Sequence, residues 1–265
     1  MKVISDVINF RIEKFSNDMY GLIGHPLSHS FSKDFFTKKF ADEQITGVDY
    51  RNFPLPDISD FPHLVESNSQ LLGLNVTIPY KEKIIPFLDR IDSIAEEIGA
   101  VNTIKFDIVG GKRILTGFNT DAFGFKKSLQ EILPINRKIS NAFILGTGGA
   151  SKAVAYTFKQ LGISYLFVSS SEKSELTYKN ITGDIIRNSE LIINTSPLGM
   201  FPNESECPDI PYSYLNESHI LFDLIYNPAQ TLFLKKGLAQ GATVSNGLKM
   251  LEYQALKSWE IWNQD

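Results

Sequence analysis

Short apolar runs alternate with longer amphipathic stretches along most of this chain. Tyr20–Gly24, Val48–Asn52, Leu71–Val76, Val101–Asp107, Ala142–Leu145, Ser164–Val168, Leu191–Asn194 and Ile220–Leu224 are rich in Val, Ile, Leu and aromatic residues. Runs of this length and composition predict buried strands. Between them, helical spacing of apolar residues covers Ser32–Ala41, Ile58–Glu66, Ile84–Leu88, Ala122–Ile132, Ala150–Leu161 and Thr231–Gln240, and a last helix is predicted over Leu251–Trp262. Strands alternating with helices read as successive βαβ units, so the expected class is α/β with parallel sheets.

At 265 residues the chain exceeds the ordinary size of one compact domain, and two are expected. The stretch Leu133-Pro134-Ile135-Asn136-Arg137-Lys138 follows one predicted helix and precedes the most glycine-rich turn, which marks it as the entry into a second domain. The final helix carries Tyr253, Trp259 and Trp262, a set best explained by burial against the first domain. Met1–Phe15 mixes Lys2, Asp6, Arg11 and Glu13 with apolar residues, so it reads as a peripheral extension and not as a signal peptide.

A net charge of −4 removes any general attraction to nucleic acid or to an anionic membrane. No apolar run approaches the roughly 20 residues that span a bilayer, and the expected location is cytoplasmic. Cys207 is the one cysteine and has no thiol partner, while the four histidines lack metal-ligand spacing, so neither a disulfide nor a metal is expected.

Ala142 to Ser151 passes from a buried strand through Gly146, Thr147, Gly148, Gly149 and Ala150 into a helix. Gly146 permits a sharp turn, and Gly148 and Gly149 let backbone N–H groups at the helix start approach a pyrophosphate. Ser151 stands where such turns usually carry Gly or Ala. The end of the next strand, about 20 residues on, is where ribose selection is expected. Here Ser169, Ser170, Ser171 and Lys173 suit a 2′-phosphate, which favours NADP; Glu172 keeps NAD open, and the stretch reads equally well as a solvated polar loop.

Three polar clusters lie where strands end. Asn75 and Thr77 share one side by alternation, and Pro79 stops the strand so that Lys81 opens the next segment. By spacing alone Lys81, Glu82 and Lys83 read equally well as a solvated helix start. Asn119-Thr120-Asp121 precedes a helix that Asp121 is placed to cap. Ser30 and Ser32 sit beside another helix start, a suitable place for a carboxylate, although capping explains one of them.

Together these motifs resemble the shikimate dehydrogenase family from about Tyr20 to Trp262. The resemblance rests on Ser30-x-Ser32, Asn75-Val76-Thr77-x-Pro79-x-Lys81, Gly99-Ala100-Val101-Asn102-Thr103, Asn119-Thr120-Asp121 and the Gly146 turn. It continues through Ile193-Asn194-Thr195-Ser196-Pro197-x-Gly199-Met200, Asp223-x-x-Tyr226-x-Pro228-x-x-Thr231 and Gly247-x-x-Met250-Leu251-x-x-Gln254. It implies an N-terminal α/β substrate domain (1–120 with 248–265) and a Rossmann-like, doubly wound dinucleotide-binding domain (121–247), with the C-terminal helix returning to the first.

The implied activity is reversible NADPH-dependent reduction of 3-dehydroshikimate to shikimate, in chorismate and aromatic amino-acid biosynthesis, by a monomer or homodimer. Ser30, Ser32 and Tyr226 would hold the substrate carboxylate. Asn75, Thr77, Asn102, Asp121 and Gln254 would bind ring hydroxyls, and Thr195 and Gly247 would join the cofactor site. Lys81 would pass the proton at the reacting oxygen, with Asp121 orienting its ammonium. One departure is plain: NADP-preferring members often carry Asn-Arg-Thr and a further Arg where this chain has Ser169-Ser170-Ser171 and Lys173. The rival readings are a quinate or quinate/shikimate dehydrogenase using NAD and, from another class, a ligand-sensing module without turnover.

Overall fold

The computed structural model describes residues 18–27, 30–133, 137–171 and 175–264; the amino-terminal extension, the middle of the predicted linker and Lys173 lie outside them. The chain divides into two compact units, Met1–Ala95 with Val101–Phe118 and Ser258–Asp265, and Glu96–Ala100 with Asn119–Lys257.

In the first unit β1 (Asp18–Gly24), α1 (Phe31–Asp42), β2 (Val48–Pro54), α2 (Phe61–Ser67) and β3 (Leu71–Val76) make two β-α-β steps. Both β2 and β3 pair in parallel with the central β1. After β4 (Arg90–Ile91) and α3 (Ser93–Ile98), β5 (Thr103–Val109) and β6 (Lys112–Phe118) form a hairpin that joins β3 antiparallel. The sheet order is β2-β1-β3-β5-β6-β4.

This sheet departs from the all-parallel expectation. Gly110 and Gly111 have φ of 59° and 79°, the left-handed pair whose twist matches a two-residue hairpin. Two residues cannot make a parallel crossover. The predicted helix at Ile84–Leu88 is a single 3₁₀ turn, Ile85–Phe87, which stops where Leu88 turns extended and the Asp89 N–H pairs with the Leu115 carbonyl at 3.0 Å. Ile23, Leu74, Ile84, Val101 and Ile104 are fully enclosed at its core.

The second unit contains α4 (Asp121–Ile132), β7 (Asn141–Leu145), α5 (Gly149–Leu161), β8 (Ser164–Ser169), β9 (Leu176–Thr177) and α6 (Gly183–Arg187). It continues with β10 (Leu191–Asn194), β11 (Ile220–Asp223), α7 (Leu232–Ala239), β12 (Thr243–Ser245) and α8 (Leu248–Trp262). All pairs in its sheet are parallel, in the order β12-β11-β10-β7-β8-β9. Both faces are covered, which is why its strands read as continuous apolar runs. Ile144, Ile193 and Phe222 pack with Phe125 and Phe158 on one face, and Phe143, Ile192 and Leu221 with Phe233 and Leu234 on the other. This is the doubly wound, Rossmann-like arrangement, with its order reversing between β7 and β10.

Helix α8 contributes Ser258 onward to the first unit. Trp262 stacks on Tyr20 with ring centroids 4.7 Å apart, and its Nε1–H donates to the Ile104 carbonyl at 3.0 Å. Gly73 makes the space, since a Cβ there would lie 2.3 Å from the indole nitrogen. The C-terminal helix therefore returns to the first unit as expected. Among the described residues, no helix is long and apolar enough to cross a membrane.

Candidate active site

In the first unit, the residues expected to meet a substrate gather at the carboxyl ends of β1, β2 and β3. Ser30 is the N-cap of α1, and its Oγ accepts the Lys33 N–H at 3.2 Å. Accepting there leaves the hydroxyl proton for a carboxylate. Ser32 is buried and donates to the Tyr50 hydroxyl, which itself donates to Asn75 Oδ1 at 2.8 Å. Burial holds the Tyr50 pKa well above the usual tyrosine value, so this group works as a neutral hydroxyl.

Asn75 is 3% exposed, and its Nδ2 donates to Ser258 Oγ at 3.0 Å and to the Asn102 carbonyl and Thr103 Oγ1, each at 3.3 Å. Thr103 Oγ1 in turn donates to Asn102 Oδ1 at 3.2 Å. A buried polar network thus joins Ser32, Asn75 and Asn102, and the Asn75 amide is committed to protein partners at both ends. Thr77 follows β3 with its N–H on the Ile23 carbonyl, and half-buried Lys81 accepts the Val101 N–H on its own carbonyl at 2.7 Å. That bond ties the Lys81 loop to the residue before Asn102.

In the second unit, Asp121 is not the cap of α4. Thr120 holds the N-cap position, and the cap hydrogen bond comes from Asn119, whose Oδ1 accepts the Ala122 N–H at 3.2 Å. Asn119 Nδ2 donates to the Ala100 carbonyl at 2.8 Å, which fixes the amide for this work. Asp121 is the first helical residue, 4% exposed, where the helix dipole favours a carboxylate. Thr120 Oγ1 donates to Gln254 Oε1 at 3.3 Å, and the approach of α4 to α8 depends on Gly124, where a Cβ would lie 2.5 Å from the Met250 carbonyl oxygen. Tyr226 is half-buried on the loop after β11.

The glycine turn follows β7, beside the point where strand order reverses. Gly146 has φ of 115°, and a Cβ on it would meet Thr195 Oγ1 at 2.8 Å; Thr195 itself donates to the Leu145 carbonyl through Oγ1 at 2.8 Å. Gly146 and Thr195 are therefore brought together. Gly148 differs: its φ is −80°, and a Cβ there would meet nothing within 4 Å. No protein contact requires glycine at Gly148, and the open space faces the start of a 13-residue helix, as a dinucleotide phosphate needs. Ser151, the departure from the usual pattern, satisfies its hydroxyl on the Gly148 carbonyl at 2.6 Å. Ser169 Oγ accepts the Ser171 N–H at 3.0 Å, and Ser170 is exposed. Gly247 has a packing reason of its own, since a Cβ would lie 2.0 Å from the Leu224 carbonyl oxygen.

Residues 22–104 match the family model described as the shikimate dehydrogenase substrate binding domain. Over 91% of its length the chain is 36% identical to a shikimate dehydrogenase (NADP(+)) of Methanosphaera stadtmanae, covering 90% of that protein. The chain belongs to the shikimate dehydrogenase family. A shikimate dehydrogenase solved in complex with NADP+ superposes with a TM-score of 0.80 at 32% identity, over 93% of this chain and 90% of that one. The Thermus thermophilus shikimate 5-dehydrogenase solved with NADP(H) and shikimate gives a TM-score of 0.80 at 28% identity, over 92% and 93%.

The matched family segment contains Ser30, Ser32, Asn75, Thr77, Lys81 and Asn102, whereas Asp121 and the glycine turn lie beyond it. Sequence reasoning missed Tyr50, Ser258 and the capping role of Asn119. Tyr50 and Asn75 sit on strands separated by β1, and Ser258 comes from the far end of the chain, so no local pattern links them. Asn119 had a legible signal, an Asn three residues before the Ala122 amide it caps.

Proposed function

We propose that this chain catalyses the reversible NADPH-dependent reduction of 3-dehydroshikimate to shikimate, the step leading toward chorismate and the aromatic amino acids. The likeness over 91% of the chain to a shikimate dehydrogenase named for NADP(+) carries this reading. The first unit acts as the substrate domain and the second, which takes in 248–257 as well as 121–247, as the NADP domain.

Ser30 donates to the substrate carboxylate with Tyr226 assisting, and Ser32 joins it by turning its one hydroxyl proton from Tyr50 to the carboxylate. Asn75, Thr77, Asn102, Asp121 and Gln254 bind ring hydroxyls, and Asn75 also holds Asn102 in place. Gly146, Thr147, Gly148, Gly149, Ala150, Thr195 and Gly247 line the dinucleotide, and Ser169, Ser170, Ser171 and Lys173 meet its 2′-phosphate. A nicotinamide dinucleotide held by these residues would supply the hydride for ketone reduction. Lys81 delivers a proton from Nζ to the developing alkoxide in reduction and takes it back in oxidation, its charge stabilising the oxygen meanwhile. Everything else is positioning. The enzyme works in the cytoplasm as a monomer or homodimer, without nucleic acid.

Assaying the purified chain with shikimate and quinate, each with NADP+ and NAD+, tests the reading. Turnover is expected to be fastest with shikimate and NADP+; turnover confined to quinate and NAD+ would replace it with the rival.

A further inference from the structure

One buried carboxylate has no part in the roles above. Asp223 ends β11 with no solvent exposure, directly in register with the equally enclosed Asn194 at the end of β10. Its Oδ1 accepts from Asn194 Nδ2 and from the Ile225 N–H, both at 3.0 Å, and its Oδ2 accepts from Thr231 Oγ1 at 2.6 Å. Thr231 is also fully buried and is the N-cap of α7.

Each partner governs a different segment. Asn194 Oδ1 accepts from the Ser196 N–H at 3.1 Å and from Ser196 Oγ at 2.6 Å, which shapes the loop carrying Thr195 against the Gly146 turn. The Ile225 bond sets the loop carrying Tyr226, and the Ile225 carbonyl accepts the Gly247 N–H at 3.0 Å. The two loops meet again where the Phe201 N–H donates to the Asn227 carbonyl at 3.2 Å. A neutral acceptor would suffice to tie off one strand end. A carboxylate taking three donors from three segments is the arrangement that locks them mutually, because charge-assisted bonds are about twice as strong as neutral ones.

We propose that Asp223 is a positioning residue that, through Asn194, Ile225 and Thr231, holds the Thr195 and Tyr226 loops in their binding geometry and so sets affinity for the dinucleotide. The proposal rests on the reading of this sheet edge as the NADP site. It adds a determinant that touches neither cofactor nor substrate.

The test compares wild type, Asp223→Ala and Asp223→Asn as full-length protein, measuring the Kd for NADP+ by calorimetry, the KM for NADP+ and shikimate, kcat at saturation, and Tm. Asn keeps the Oδ1 acceptor, and the Thr231 hydroxyl can turn to meet its amide, so it is the conservative variant. Asp223→Ala is expected to raise the Kd and KM for NADP+ at least roughly tenfold, the effect of one lost charged hydrogen bond, with kcat within about threefold of wild type. Asp223→Asn is expected to fall between the two.

A lower Tm with unchanged Kd and KM would reduce Asp223 to a structural role and overturn the proposal. If the alanine variant does not fold, Thr231→Val, which removes one of the three donors, takes its place, and unchanged Kd and KM for NADP+ in that variant overturn the proposal equally. Wild-type protein that binds NADP+ without oxidising shikimate would sink the functional reading alone, and wild-type protein that binds no NADP+ would sink both.

Discussion

Lys81 stands on a loop that follows a strand end, with its backbone tied to Val101 and its side chain half-buried. Lys81→Ala is expected to lower kcat roughly 10²- to 10⁴-fold with a much smaller rise in KM, because the ammonium acts mainly on charge that develops in the transition state. Steady-state rates with shikimate check this, and a near-normal kcat would remove Lys81 from the chemistry.

Asp223 gives a second prediction at the same scale. Burial pushes its carboxyl up to about 6 from an ordinary 3.8, against the pull of the Thr231, Ile225 and Asn194 hydrogen bonds. A carboxyl with a raised folded-state pKa keeps its proton longer in the folded chain. Its contribution is therefore greatest at low pH and is lost as pH rises from about 4 to 6. Wild type should lose about 2 kcal/mol relative to Asp223→Asn between pH 4 and pH 7, read from urea unfolding; a difference that does not move with pH would mean that Asp223 does not titrate there.

At the scale of elements, glycines decide how closely neighbours approach. Gly73 on β3 leaves room for Trp262, whose ring also meets Tyr20 and Phe36. Gly73→Ala is expected to cost about 1–3 kcal/mol, as overpacking of a filled site does, and to redshift tryptophan emission as the indole is displaced toward water. Unchanged denaturant midpoint and emission would show that the indole can shift at no cost. Gly124→Ala crowds the Met250 and Gln254 backbones in the same way. Since Gln254 is a proposed substrate ligand, that variant should raise the KM for shikimate more than that for NADP+.

For the whole molecule, the clearest consequence of the proposed function is linkage. A ligand that binds only the folded chain at a hundredfold its Kd adds about 2.7 kcal/mol. Thermal melts with NADP+ are therefore expected to shift upward by roughly 5 °C, and an equal concentration of NAD+ to shift them less. Equal shifts would show that the serines after β8 do not distinguish the 2′-phosphate.

Much of the fold and part of the site are determined by local pattern. Strands such as Leu71–Val76 and Leu191–Asn194 have the predicted bounds because buried runs ended by polar residues carry their own limits. The glycine turn was legible because its conformation demands residue types within a few positions of one another. Tertiary structure alone decided the rest. The β6 strand joins antiparallel because the Gly110–Gly111 turn and the strand it returns to act together, and the short edge strands β9 and β12 exist only where a neighbour supplies hydrogen bonds. Tyr50, Ser258 and the Asn194–Asp223–Thr231 set owe their roles to enclosure. A buried polar group must find its partners among whatever groups the fold brings near it, and sequence separation says nothing about which those are.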